Sequence, residues 1–383
     1  MRRFYSRFVL FSSLTLILIE PLGTQPSPLK IPEPSGAFTP RKYICRRVSG
    51  RLNIDGRLDE KTWQDTDWSE TFGDIEGRKK PAPRYQTWVQ MLWDDRYLYI
   101  GAYLEERDLW ATLTDRDSII FQDNDFEVFI DPDGDSHNYY EIEINALNTV
   151  WDLLLIKPYR DGGPPVHGWD IAGLKTAVNL QGTLNDPSDR DKAWTVEMAI
   201  PFSALREGIV GTPERPAPGD VWRINFSRVE YWLKSVKGGY EKIKDDGTGQ
   251  LLPEDNWVWS PQGLINMHYP EMWGYVQFSN RLPGKGRERF INQPEEKIKW
   301  ALRKIYYRQW RKFQTDGFFA DGLEALELAK DKDLKIKNWD FPPVIRTTLT
   351  MFEAIYSRKS GERWHIRHDG LVWKSGAEAS AKK

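Results

Sequence analysis

Cysteine is almost absent from this sequence. Of 383 residues only Cys45 carries a thiol, which excludes an intramolecular disulfide framework and a cysteine-based structural zinc site. Histidine is scarce too, with five residues, so histidine-rich metal chemistry has little to build on. Neither sign of charge dominates: 54 Lys and Arg against 56 Asp and Glu leave a net charge of −2, which argues against a protein that neutralises a phosphate backbone. No nucleic-acid partner is expected. No G-x-S-x-G motif occurs, so a nucleophilic triad has no support. Long apolar runs are missing as well: the stretch from Phe8 to Ile19 is 12 residues, short of the roughly 20 that span a bilayer.

What the chain has in quantity is aromatic rings. Its 18 Trp, 16 Tyr and 17 Phe make 13% of the sequence, a density that suits a β-rich core, stacking surfaces for a ligand, or both. The basic start Met1-Arg2-Arg3 followed by the short apolar run reads as a secretory signal peptide over residues 1–25. Export to the periplasm, cell surface or medium is therefore expected, with no membrane span after cleavage. Residues 26–42 hold Pro26, Pro28, Pro32, Pro34 and Pro40 and are expected to be a disordered lead-in.

From about Tyr43 the apolar pattern has period two. Segments 88–93 and 97–104 flank the turn Asp94-Asp95-Arg96; segments 126–131 and 138–145 flank Pro132-Asp133-Gly134-Asp135-Ser136. Segments 150–156, 193–200, 221–229 and 274–278 continue the series. Short strands joined by Gly, Pro and Asp loops, without regular alternation with helices, predict a mainly β fold. The expected form is a jelly-roll or immunoglobulin-like antiparallel β-sandwich over residues 43–280, with a smaller C-terminal α+β extension.

Alternation assigns faces. Phe126, Val128 and Ile130 share one side of their strand, while Asp125, Glu127, Phe129 and Asp131 share the other. In the following strand Glu141, Glu143 and Asn145 lie opposite Tyr140, Ile142 and Ile144. Two readings compete for this acidic side: a solvated outer face, or a polar ligand surface whose carboxylates accept hydrogen bonds from hydroxyl groups. Between Glu105 and Glu143 there are 13 acidic residues against Arg107 and Arg116, a balance that also favours a cation.

The ordered series Leu52-Asn-Ile-Asp-Gly-Arg-Leu-Asp-Glu-Lys-Thr-Trp63, Leu92-Trp-Asp-Asp-Arg-Tyr-Leu-Tyr99, Asp125-Phe-Glu-Val-Phe-Ile-Asp131, Trp194-Thr-Val-Glu-Met-Ala-Ile-Pro201 and Trp222-Arg-Ile-Asn-Phe226 resembles family 9 carbohydrate-binding modules. The resemblance implies a DOMON-type β-sandwich that binds sugars, often carries structural calcium, and occurs with secreted polysaccharide-degrading enzymes. The implied partners are a carbohydrate and a glycoside hydrolase or cell-surface complex. It places the stacking aromatic before the acidic strand nearest Phe121, and the hydrogen-bonding acid at Glu127. A second ring falls in the loop 256–270, where Trp257, Trp259 or Tyr269 can serve.

A pyranose offers an apolar CH face to an aromatic ring and a rim of hydroxyls to polar side chains. Around Phe121 and Glu127 the candidate ligand residues are therefore Glu143, Asn145, Trp151, Trp169, Arg228 and Glu230. Trp63, Trp93, Trp194 and Trp222 belong in the core. Trp169 follows the Gly- and Pro-rich loop 159–168, where an exposed ring needs a partner, and core packing competes with ligand contact. Arg228 and Glu230 end a strand whose side switches from apolar to charged, read as exit into solvent or as a pair at the mouth of the sandwich. Asp131, Asp133 and Asp135 alternate around a Gly turn and are the candidate calcium ligands, in competition with a plain hairpin turn. An alternative from another class is a glycoside hydrolase using Glu127 and Glu143 as its carboxylate pair. A third is a scaffold domain that contacts another protein.

Residues 281–293 read as a basic linker. Pro294-Glu-Glu-Lys opens a helix whose Ile298, Leu302, Ile305, Tyr306, Trp310 and Phe313 form one apolar stripe. Asp321-Gly-Leu-Glu324 predicts a second short helix, and residues 352–367 a hairpin turning at Ser360-Gly361. The α+β extension is expected over 294–370, followed by a disordered tail at 371–383.

Overall fold

The computed structural model describes residues 31–48, 50–207 and 214–376. The signal peptide at 1–25, the first part of the lead-in and residues 377–383 of the tail lie outside them. In chain order the elements are β1 (Lys42–Arg47), α1 (Lys61–Gln64), β2 (Gly73–Asp74), β3 (Thr87–Trp93), β4 (Tyr97–Glu105), β5 (Asp125–Asp131), β6 (Tyr139–Asn145), β7 (Val150–Leu155) and β8 (Pro165–Val166). There follow β9 (Lys175–Gln181), β10 (Ala193–Pro201), β11 (Val221–Glu230), β12 (Leu233–Val236), β13 (Gly239–Lys242), β14 (Asp255–Val258) and β15 (Gly274–Ser279). The C-terminal part holds α2 (Glu296–Asp316), β16 (Val344–Thr347), β17 (Phe352–Ser357), β18 (Arg363–Arg367) and β19 (Val372–Ser375). No helix of the described residues is long and apolar enough to cross a membrane.

The eight expected strands form within a residue or two of their predicted ends. Turn chemistry explains the sharpness: Asp94 Oδ1 accepts from the backbone N–H groups of Arg96 and Tyr97, at 2.7 and 2.8 Å, and closes the β3–β4 hairpin. The main sheet runs β8-β7-β6-β5-β11-β15-β1-β3-β4-β10-β9, with β14 branching from β11 and β2 from β14. It curls on itself, so that Phe126, Val128, Ile130, Ile142 and Ile144 of one half pack against Val89, Met91, Ile100, Trp194, Val196 and Met198 of the other. The predicted sandwich is therefore present, closed through β1. Antiparallel pairing is interrupted there, because β1 pairs in parallel with both β15 and β3.

The extension packs α2 on the four-stranded sheet β16-β17-β18-β19. The expected hairpin turns at Gly361 with φ +87°. No helix forms at 321–327, which is a series of turns; Gln309 of α2 takes up the Ala320 N–H and C=O instead. The tail's first residues form β19 rather than disorder, and the described part of the lead-in is packed: Ile31 is buried and Phe38 stacks on Trp300 at 4.0 Å. Extension and sandwich share an interior, since Tyr269 and Met272 of the loop before β15 sit in the same apolar cluster as Leu302, Tyr306 and Tyr356. Arg160 crosses this boundary, 2.8 Å from Glu271 and 3.9 Å above the Tyr269 ring.

Candidate functional site

The acidic side of β5 and β6 is neither solvated nor apolar. Register sets Ser227, Glu127, Glu143 and Trp151 in one row across β11, β5, β6 and β7, with Asn225, Phe129, Glu141 and Leu153 in the next. Glu127 is 6% exposed and Glu143 2%. The solvated-face reading is thus overturned. Two covers account for the burial. The segment holding Ile120 and Phe121 lies over the Glu143 end, where Phe121 N–H donates to Glu143 Oε2 at 2.9 Å. Trp273, Met267 and His268 pack over Phe129 and Tyr139 at the other. Among the described residues, no ion pair reaches Asp125, Glu127, Glu141 or Glu143.

Burial, reinforced by Glu254, pushes the Glu127 carboxyl up to about 7. Glu141 and Glu143 are likewise raised, by burial first and then by Glu127. Three acids, Glu127 and Glu143 in one row and Glu141 in the next, thus hold protons that exposed carboxyls release.

Rings frame the row. Phe121 is 40% exposed, its ring 6.4 Å from Trp151, and Trp151 stacks on the exposed His167 with centroids 5.9 Å apart and planes 6° from parallel. Tyr159 is half-exposed and sits edge-on to His268 at 4.5 Å. Tyr159 and His167 escaped the sequence reading because they reach the site only through the long-range pairing of β8 with β7. Ser227 and Glu141 were legible from alternation.

Phe121, Glu127, Glu143 and Trp151 thus come together. The other predicted ligand residues do not join them. Asn145 is a latch: its Nδ2 donates to the Leu113 carbonyl and to Asp123, and its Oδ1 accepts from Leu147 and Thr149, fixing the loop below Phe121. Trp169 is only 8% exposed, packed against Tyr140 with its indole N–H on Glu207 at 2.6 Å, so it is core and not an open ring. The polar loop before it spans the mouth of the core instead of lifting the Trp into solvent. Trp259 is also core, pressed so close to Gly274 that a Cβ there meets the indole at 2.2 Å. Tyr269 is buried beneath Arg160 at the boundary with the extension.

Arg228 and Glu230 form a buried group on the core side of β11. The guanidinium lies 2.6 Å from Glu106 and 2.8 Å from Glu230, with Trp257 stacked nearby at 5.5 Å. Arg228 and Glu230 are paired, as the second reading had it, but on the sheet face opposite Glu127.

The turn Asp131-Asp133-Asp135 is closed from within the chain. Asp131 accepts the Gly134 and Ser136 N–H groups at 2.8 and 3.0 Å, and Lys299 and Arg303 of α2 bond the carbonyls of Gly134 and Asp135 at 3.0 and 3.3 Å. Lys299 and Arg303 thus bring positive charge to the turn through its backbone carbonyls, beside one carboxylate oxygen from each of Asp131, Asp133 and Asp135 within 4.8 Å of one another.

Residues 54–217 match the family model described as carbohydrate family 9 binding domain-like. The resemblance read from the residues is shown over that stretch, which includes Phe121, Glu127, Glu143 and Trp151. Among solved structures this chain is similar to a candidate carbohydrate-binding protein of Bacteroides uniformis, at 17% identity and TM-score 0.46 over 63% of this chain and 100% of that one. It is also similar to a family 9 carbohydrate-binding module of Caldicellulosiruptor kristjanssonii. In complex with cellotriose that module gives 16% identity and TM-score 0.37, covering 66% of this chain and 100% of its own. In complex with glucose it gives 17% and 0.39, with the same coverage. No curated protein matches the chain.

Proposed function

We propose that this chain binds a carbohydrate on the row Glu127–Glu143, holding sugar rings against Phe121 while the carboxyls bond their hydroxyls. The observation that carries the reading is the conjunction, on one buried polar row, of carboxyls without ionic partners and an exposed aromatic ring at its rim. The family match over the same residues supports it. Aromatic stacking covers the apolar sugar face, and the acids accept hydroxyl protons along the edge. The basic and apolar leader supports export, and the assembly then serves glycan degradation beside a glycoside hydrolase or at a cell-surface complex.

A glycan array with the full chain tests this. Wild type retains one class of glycan; Phe121→Ala and Glu127→Ala each weaken binding by about tenfold or more, the loss of roughly 1.4 kcal/mol. Equal retention by wild type and both variants, or no retained glycan at all, removes the proposal. A second reading, hydrolysis, is favoured by carboxylate oxygens of Glu127 and Glu143 within 4.8 Å and by the raised Glu127, a setting akin to a retaining pair about 5 Å apart. Absence of reducing-sugar release from any retained glycan excludes it.

A further inference from the structure

Three groups of carboxylates in the described residues each bring oxygens of three side chains within 4.8 Å of one another: Asp117, Asp152 and Asp170; Asp131, Asp133 and Asp135; Asp125, Glu127 and Glu143. Gathering like charges this closely is unfavourable without protons or a positive charge among them. The chain supplies that charge to two of the three. Arg116 bonds Asp152 and lies 2.7 Å from Asp170. Lys299 and Arg303 close the turn at Asp131–Asp135. The third group is the most deeply buried and has no ion pair among the described residues.

That group also has unused bonding capacity. Asp125 is fully buried, and its Oδ2 has no hydrogen-bond partner, although Oδ1 accepts the Val229 N–H at 3.1 Å. Beside it the buried Glu141 Oε2 is also without a partner. A buried carboxylate oxygen left unbonded is costly, and a fixed strand geometry cannot turn it away.

We propose that Asp125, Glu127 and Glu143 hold a divalent cation of calcium's size, and that its outward coordination positions take hydroxyls of the sugar bound at Phe121. The second half rests on the carbohydrate reading; the first does not. An oxygen spread of up to 4.8 Å is what two calcium–oxygen bonds of about 2.3–2.6 Å can span. The donors are all hard oxygens, with no imidazole or thiolate in the group, which suits calcium and disfavours zinc or copper. Three carboxyls leave several of calcium's six to eight positions open, and a vicinal diol is a fitting oxygen ligand for them. The cation is distinct from one at the Asp131 turn, since Asp125 and Asp131 stand at opposite ends of β5.

The test uses the metal-free full chain and terbium, a calcium stand-in whose emission is sensitised by nearby indoles. Trp151 sits directly across from Glu143. Tryptophan excitation of wild type with terbium is expected to give sensitised emission that excess calcium displaces. Glu127→Gln and Glu143→Gln are expected to weaken terbium binding by tenfold or more, while Asp133→Asn and Asp170→Asn leave it unchanged. No emission, or a loss confined to Asp133→Asn or Asp170→Asn, overturns the site. Thermal unfolding of wild type in calcium and in chelator needs no variant: a higher midpoint in calcium supports the site and identical midpoints overturn it. Glycan retention in chelator then separates the two halves. Retention lost in chelator and restored by calcium supports the contact with sugar. Unchanged retention with intact terbium binding overturns that contact alone, and terbium binding without any retained glycan strikes the carbohydrate reading while leaving the cation.

Discussion

At the scale of single residues, Phe121 and Trp169 make opposite predictions from similar chemistry. Phe121 is exposed at the rim of the acidic row, whereas Trp169 is packed against Tyr140 and anchored to Glu207. Trp169→Ala should cost about 3–5 kcal/mol of stability by leaving a cavity, read as a lower urea midpoint. Phe121→Ala should move that midpoint little and act on ligand retention instead; a stability loss equal to that of Trp169→Ala contradicts this assignment.

Glu127 gives a pH dependence with a definite sign. Its carboxyl is raised from 4.5 to about 7 by burial and Glu254, with Asp125, Glu141 and Glu143 facing it as further acids. The folded chain therefore holds a proton that the unfolded chain releases. The resulting stability is fully present below about 4.5 and is lost as pH rises through 7. In chelator, Glu127→Gln should flatten the fall in stability between pH 5 and 8, measured by urea titration at each pH. An unchanged slope excludes Glu127 as its source.

At the scale of elements, the loop before β15 and the helix α2 are tied by Glu271. Burial pushes this carboxyl up, yet Arg160 and then Arg303 hold it at about 2, and the Tyr307 hydroxyl donates to it as well. Arg160 is itself nearly fully buried, so removing Glu271 leaves its charge to Asp161 alone, 3.4 Å away. Glu271→Gln is expected to cost about 3–5 kcal/mol in urea unfolding, far more than an exposed pair such as Lys61–Asp65, for which the loss stays below about 1 kcal/mol. Equal effects of the two changes refute the difference in burial as the cause.

At the scale of the whole molecule, sandwich and extension have no dry boundary at which to separate. Tyr269 and Met272 belong to the apolar cluster of the extension, and Arg223 of β11 reaches Glu296 of α2 at 2.5 Å. Calorimetry of the full chain should show one transition, with calorimetric and van't Hoff enthalpies equal; two resolved transitions contradict a shared interior. The basic segment at 281–293 is part of the same unit. Arg46 bonds the carbonyls of Lys285 and Gly286 at 3.3 and 3.1 Å, so this stretch lies along β1 and does not behave as a spacer.

Local order was set by the sequence. Period-two alternation, Asp-Gly turns and the apolar stripe of α2 act over a few residues, so the strands, the hairpins and the core side of each strand could be read directly. The same alternation gathered Glu127, Glu141 and Glu143 on one side, because facing depends only on position along a strand. Whether that side met water, and which rings reached it, depended on what crossed over it from afar. Ile120 and Phe121 at one end, Trp273 and His268 at the other, and the β8 pairing that brings His167 to Trp151 were decided by tertiary structure alone. For the same reason Trp169, Trp259 and Tyr269 could not be placed from their neighbours. Burial of a large ring is fixed by the partner surface across the interior, and that partner lies tens to hundreds of residues away.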